Sequence, residues 1–160
     1  MPSEIIVNIK IKPYLREYAI HKWGPEPILA DRRNRLSGLI RPLLQAPPPR
    51  VKPTDGNLQV RLPFFKSLNI YSKNYLSPRS HSLIAQAIND DFLVDFIAYM
   101  NKAYLKSKVP GRRKMINMSI VRFMEEFHII TGKDVHEMLR KKYYRYRIEC
   151  SKANFEEEIA

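Results

Sequence analysis

Residues 131–147, "TGKDVHEMLRKKYYRYR", gather six basic side chains and three tyrosines in one short stretch. Lysine offers a point charge to a phosphate, arginine a planar fork of donors for phosphate or a base edge, and tyrosine a ring for stacking. Together these residue types suit the binding of a polyanion; a tyrosine nucleophile for strand transfer is conceivable, but the chain lacks an Arg-His-Arg constellation to serve it. Wound as a helix, Val135, Met138, Leu139, Tyr143 and Tyr146 fall on one stripe, which should face a core. The opposite surface collects Lys133, Glu137, Arg140, Lys141, Tyr144 and Arg147, with Lys142 and Arg145 on its flanks. We expect Arg140, Tyr144 and Arg147 near base edges and Lys133, Lys141, Lys142 and Arg145 on phosphates. The competing reading is an amphipathic helix whose polar face is merely solvated. A third is stacking of unpaired bases or RNA on Tyr143, Tyr144 and Tyr146.

Two further basic clusters extend this chemistry. "GRRK" places Arg112, Arg113 and Lys114 in a loop or arm able to reach a phosphate or a minor groove. "DRRNR" puts Arg32, Arg33 and Arg35 at an expected helix start, a secondary patch where cations oppose the helix dipole unless an anion relieves them. Other chemistries are weaker. His21, His81, His128 and His136 have no metal-ligand spacing, and Cys150 has no second cysteine to pair with, so neither a metal nor another cofactor is expected. Asp91 and Asp95 lie one helical turn apart, with Asp90 beside them, but lack a third ligand at a telling distance for magnesium. No glycine-rich phosphate loop or nucleophile elbow occurs, so an enzyme is not expected.

The whole chain carries 28 Lys and Arg against 16 Asp and Glu, a net +12 whose field attracts polyanions. The charge is uneven. Residues 109–147 hold ten basic and four acidic side chains, whereas residues 148–160 hold one and four. The acidic end is expected either to fray in solvent or to lie back over a basic face. The apolar runs are too short to span a bilayer, and the start "MPSEIIVNIKIK" lacks the pattern of a secretory signal, so a cytoplasmic protein with no membrane partner is expected.

Elements must hold these side chains in place. "EIIVNIKIKP" alternates as a strand closed by Pro13, and "YLREYAIHKWG" reads as a short helix ended by Gly24. Residues 31–45 carry a helical pattern with Pro42 as a warning of a kink or early stop. A proline-rich connector, 46–56, loops back to "NLQVRLPF", a second strand expected to pair with residues 6–12. Ser77 and Pro78 open the main core helix, or a broken pair of helices, with Leu83, Ile84, Ala87, Ile88, Phe92, Phe96, Ile97 and Met100 at helical spacing. Another helix, about 118–127, supplies Ile120, Phe123, Met124 and Phe127, and "HIITG" joins it to the basic helix, which Thr131 is expected to cap.

This pair, residues 117–147, resembles the helix-turn-helix of DNA-binding proteins of phages and mobile elements, with Met124 and His128 where that motif usually has a small residue and a glycine. The resemblance implies a regulator or accessory factor, such as one acting in transcription, with its second helix in the major groove and, if dimeric, a two-fold site.

The expected fold is α+β and predominantly helical: a β-hairpin-like or two-stranded sheet with helices, then a helical bundle. Its parts are 1–63, 64–150 and an acidic tail, 151–160. The expected function is non-enzymatic DNA binding. Assembly through an acidic protein partner is the alternative.

Overall fold

A computed structural model describes residues 4–31, 33–50, 56–63, 72–106 and 111–159. It is an α+β, predominantly helical fold. The chain divides into two compact units, Met1–Phe92 and Leu93–Ala160.

In the first unit, β1 (Ile5–Ile9) buries Val7 and Ile9 and turns Ile6 and Asn8 outward, as its period-two pattern requires. Pro13 then opens α1 (Pro13–Trp23), which buries Tyr14, Leu15, Tyr18 and Ala19 and stops at Gly24, φ +106°. The second expected strand forms as β3 (Leu58–Leu62), antiparallel to β1 with Val7 opposite Val60. The sheet nevertheless has three strands. A two-residue β2 (Ile28–Leu29) pairs parallel on the other edge of β3, too short for any alternation to announce it. Asn57 anchors the chain beyond β1, accepting from Ile11 N–H and donating to Ile11 C=O, each at 2.9 Å.

The helix expected over 31–45 is cut short. Asp31 Oδ1 accepts from Arg33 N–H at 2.8 Å and Asn34 N–H at 3.1 Å, so side chains take the backbone donors a helix start would use. Arg35 then adopts φ +59°, and α2 spans only Leu36–Ile40 before a 3-10 turn, Arg41–Leu43, that contains Pro42. Arg33 and Arg35 therefore lie in a turn before α2, not in the first turn of a long helix; Arg32 lies outside the described residues. Residues 51–55 of the connector do too.

The main helix, α3 (Pro78–Lys106), is unbroken. Ser77 Oγ accepts from Ser80 N–H at 3.2 Å, the expected cap, and Pro78 takes the first helical position, where its missing N–H costs nothing. Its first half buries Ile84, Ile88 and Phe92 in the first unit, where the Phe92 ring meets Tyr14 at 5.4 Å and Tyr18 at 5.1 Å. His81 is buried as well, its Nδ1 accepting from Lys10 N–H at 3.2 Å.

In the second unit, the rest of α3 packs with α4 (Arg112–Glu126) and α5 (Lys133–Ile159). Phe96 and Met100 from α3, Ile116, Ile120 and Phe123 from α4, and Val135, Leu139 and Tyr143 from α5 form the core. Phe96 touches Phe123 at 5.1 Å and Tyr143 at 6.2 Å, so one ring ties all three helices together. The acidic end does not leave the helix at residue 151: α5 continues to Ile159.

Candidate nucleic-acid interface

The turn between α4 and α5 is set by hydrogen bonding at the end of α4. Ile129 N–H bonds to Met124 C=O at 2.8 Å and His128 N–H to Glu125 C=O at 3.2 Å, with His128 at φ +54°. These two bonds and the left-handed residue make a Schellman ending, with buried Ile129 next after the left-handed position. Histidine thus occupies a conformation usually given to glycine. Gly132, φ +102°, stands before the first residue of α5, so the helix starts one residue later than a Thr131 cap would place it. A side chain at Gly132 would press on Val135 Cγ2 at 3.1 Å.

From that start the inward stripe of α5 forms largely as its spacing requires. Val135, Leu139 and Tyr143 are buried, and Met138 and Tyr146 are half-buried. Asn101 of α3 fixes the far end: its Nδ2 donates to Tyr146 Oη at 3.0 Å, and Tyr143 Oη donates to its Oδ1 at 3.4 Å. Burial pushes the Tyr143 phenol above its ordinary range, which keeps it a neutral donor. Neither Asn101 nor Tyr104 stood out in the sequence, because both sit in a helix read only for its apolar stripe.

The outward face of α5 separates its cations into two groups. Arg140 Nη2 lies 2.8 Å from each oxygen of Glu137, and Lys141 Nζ lies 3.7 Å from the same carboxylate. Arg140 and then Lys141 hold the Glu137 carboxyl below its ordinary value, so it is ionised across neutral pH. Arg147 is half-buried with its guanidinium over the Tyr104 ring, 5.2 Å from the centroid. By contrast Lys142 and Arg145 are exposed and make no ion pair with any described residue. Tyr144, 38% exposed, lies among them. Asp134, Glu137, Met138, Lys141, Lys142 and Arg145 border a shallow depression of about 320 Å³ on this face. The Lys133 side chain lies outside the described residues.

Arg112, Arg113 and Lys114 are not in an arm. They form the first turn of α4, all exposed, with no acidic residue in that turn. Apolar Met115 and Ile116 follow at once and are buried, which carries the helix back through the basic run. Three cations there oppose the positive end of the helix dipole.

The secondary patch belongs to the other unit and is electrically mixed. Arg33 and Arg35 are exposed, but Arg35 lies 3.7 Å from Asp91. A cleft of about 730 Å³ beside them is lined by Asp31, Asp90 and Asp91 as well as Arg35 and Arg41. A polyanion meets no uniform positive surface there. Among the described residues, no group of three His, Cys, Asp or Glu is placed to hold a metal ion, and no helix is long and apolar enough to cross a membrane.

Comparison of the chain with protein-family models, with curated proteins and with solved structures finds no match.

Proposed function

We propose that this chain is a non-enzymatic protein that binds duplex DNA through the outward face of α5, as a regulator or accessory factor. The observation that carries the reading is the division of α5 into an inner stripe locked by Phe96 and Asn101 and an outer face with exposed Lys141, Lys142 and Arg145 around Tyr144. A helix pinned on one side and cationic on the other is shaped to enter a groove between two phosphate rows. Lys142 and Arg145 meet phosphates, joined by Lys141; Arg140 and Tyr144 lie nearer the base edges. Arg112, Arg113 and Lys114 add a second positive set at the start of α4, where a phosphate would relieve their opposition to the dipole.

The test is binding of the full chain to a random duplex and to a single strand of equal length across a salt series. Duplex affinity falls steeply with salt, each neutralised phosphate contributing about 0.9 to the log–log slope. Replacing both Lys142 and Arg145 with alanine lowers that slope by about 1.8 while leaving the fold intact. Absence of duplex binding at low salt overturns the reading and favours an acidic protein partner; preference for the single strand favours stacking on tyrosine.

A further inference from the structure

The cations of α5 differ in how firmly they are held, and this difference bears on what they read. Lys142 and Arg145 are exposed side chains with no ionic partner among the described residues, suited to phosphates whose positions vary little with sequence. Arg140 is different. Both oxygens of Glu137, one turn earlier, hold its Nη2 at 2.8 Å, and its side chain is only 29% exposed. Nη2 carries a second hydrogen beside the one that meets Glu137, and Nε and Nη1 make no hydrogen bond with any described residue, so one edge of the fork, Nη2–H with the N–H parallel to it, is fixed in direction and still open. Two convergent N–H donors match the O6 and N7 acceptors of guanine; adenine presents a donor at N6 in place of one of them. A carboxylate on a face meant for DNA also repels phosphate, so Glu137 must have a role that offsets this cost if the face binds DNA.

We infer that Glu137 and Arg140 act as one guanine-reading unit, Glu137 as the positioning residue and Arg140 as the residue that contacts the base. The inference rests on the duplex-binding reading above. It assigns base discrimination to Arg140 and sequence-blind attraction to Lys142 and Arg145. Holding the guanidinium in advance reduces the side-chain freedom lost on binding and aims the fork at a base edge in preference to the nearest phosphate.

The two effects of Glu137 can be separated by experiment. The full chain and its variants Glu137→Gln, Arg140→Lys and Lys142→Ala are each used to select duplexes from a randomised pool, and total affinity for an unselected duplex is measured beside them. The wild-type chain enriches guanine at one position by roughly 5- to 150-fold, the discrimination typical of one bidentate contact. E137Q binds the unselected duplex more tightly, having lost a repulsive charge, yet discriminates guanine less. Arg140→Lys keeps the charge and loses most of the preference, whereas Lys142→Ala weakens binding to all sequences alike. A carboxylate that only repels DNA would raise affinity in E137Q with the guanine preference unchanged, and that result overturns the inference while leaving duplex binding standing. Selection of no guanine by the wild-type chain overturns it too. Failure of the wild-type chain to retain any duplex at low salt overturns both the inference and the reading beneath it.

Discussion

Arg147 and Arg145 lie two residues apart in sequence with opposite circumstances. Arg145 is exposed, whereas Arg147 is half-buried over the Tyr104 ring. A guanidinium stacked on an aromatic face contributes about 0.5–1 kcal/mol at a partly exposed site, together with packing of its stem. Arg147→Ala should therefore lower the urea midpoint by an amount corresponding to roughly that loss, and Arg145→Ala should leave it nearly unchanged. Duplex affinity should show the reverse order. Equal urea midpoints for the two variants would mean that the Arg147 contact contributes nothing to the fold. Periodicity placed both residues on or beside the polar surface and could not separate them, because the difference comes from Tyr104 on another helix. The pairing of Arg140 with Glu137 was within reach of the sequence, since opposite charges three residues apart share a helix face.

At the scale of elements, the turn before α5 determines where its face begins. His128 at φ +54° bears the strain of a side chain in the left-handed region, yet its N–H and that of Ile129 satisfy carbonyls at the end of α4. His128→Gly removes the strain and should stabilise the second unit by up to about 1 kcal/mol, less what the freer unfolded chain gains. His128→Val, branched at Cβ, should cost about 1–2 kcal/mol. Thermal unfolding of the two variants distinguishes them by sign, and a shift in the same direction for both would show that the turn is not governed by backbone conformation. The long helices were legible because their apolar residues recur over many turns. Residues 31–45 were not, because Leu36, Leu39, Ile40 and Leu43 do repeat helically while Asp31 and Asn34 bind the backbone donors upstream. The basic run 112–114 lies in α4 and not in a loop or arm for a related reason: buried Met115 and Ile116, two apolar residues too few to mark a helix by spacing, draw the chain into it.

His81 is placed to make the stability of the first unit depend on pH. Burial holds its ring below the ordinary 6.5, and the nearby charge of Lys10 lowers it further against an opposing contribution from the Leu76 backbone. With Nδ1 accepting from Lys10 N–H, the ring is favoured in its neutral form. The unfolded chain binds a proton more readily in this window, so stability rises with pH there. The contribution is fully present above 6.5 and is lost as pH falls through the lower folded value. Urea midpoints at pH 7.5 and 5.5 should therefore fall on acidification, and His81→Gln should reduce that fall whatever it does to stability at neutral pH. An unchanged pH dependence in the variant would assign the effect to other groups.

For the whole molecule the net +12 matters more than any one contact. An excess of like charge favours an expanded chain over a compact one, and the same excess draws in a polyanion. Added salt screens both effects, because the Debye length falls from about 30 Å at 0.01 M to about 10 Å at 0.1 M. Stability of the free protein and its affinity for duplex should consequently move in opposite directions with salt: the thermal midpoint rises while log affinity falls. Duplex added at low salt should raise the midpoint as salt does, since a ligand that binds the folded state preferentially stabilises it by mass action. That rise should disappear at high salt, where the complex dissociates. Thermal scans with and without duplex at several salt concentrations test the whole pattern. If the midpoint of the free chain is indifferent to salt, the positive charges are already balanced by their arrangement in the fold. They would then exert little long-range pull, leaving the proposed duplex binding dependent on the few side chains of α5 alone.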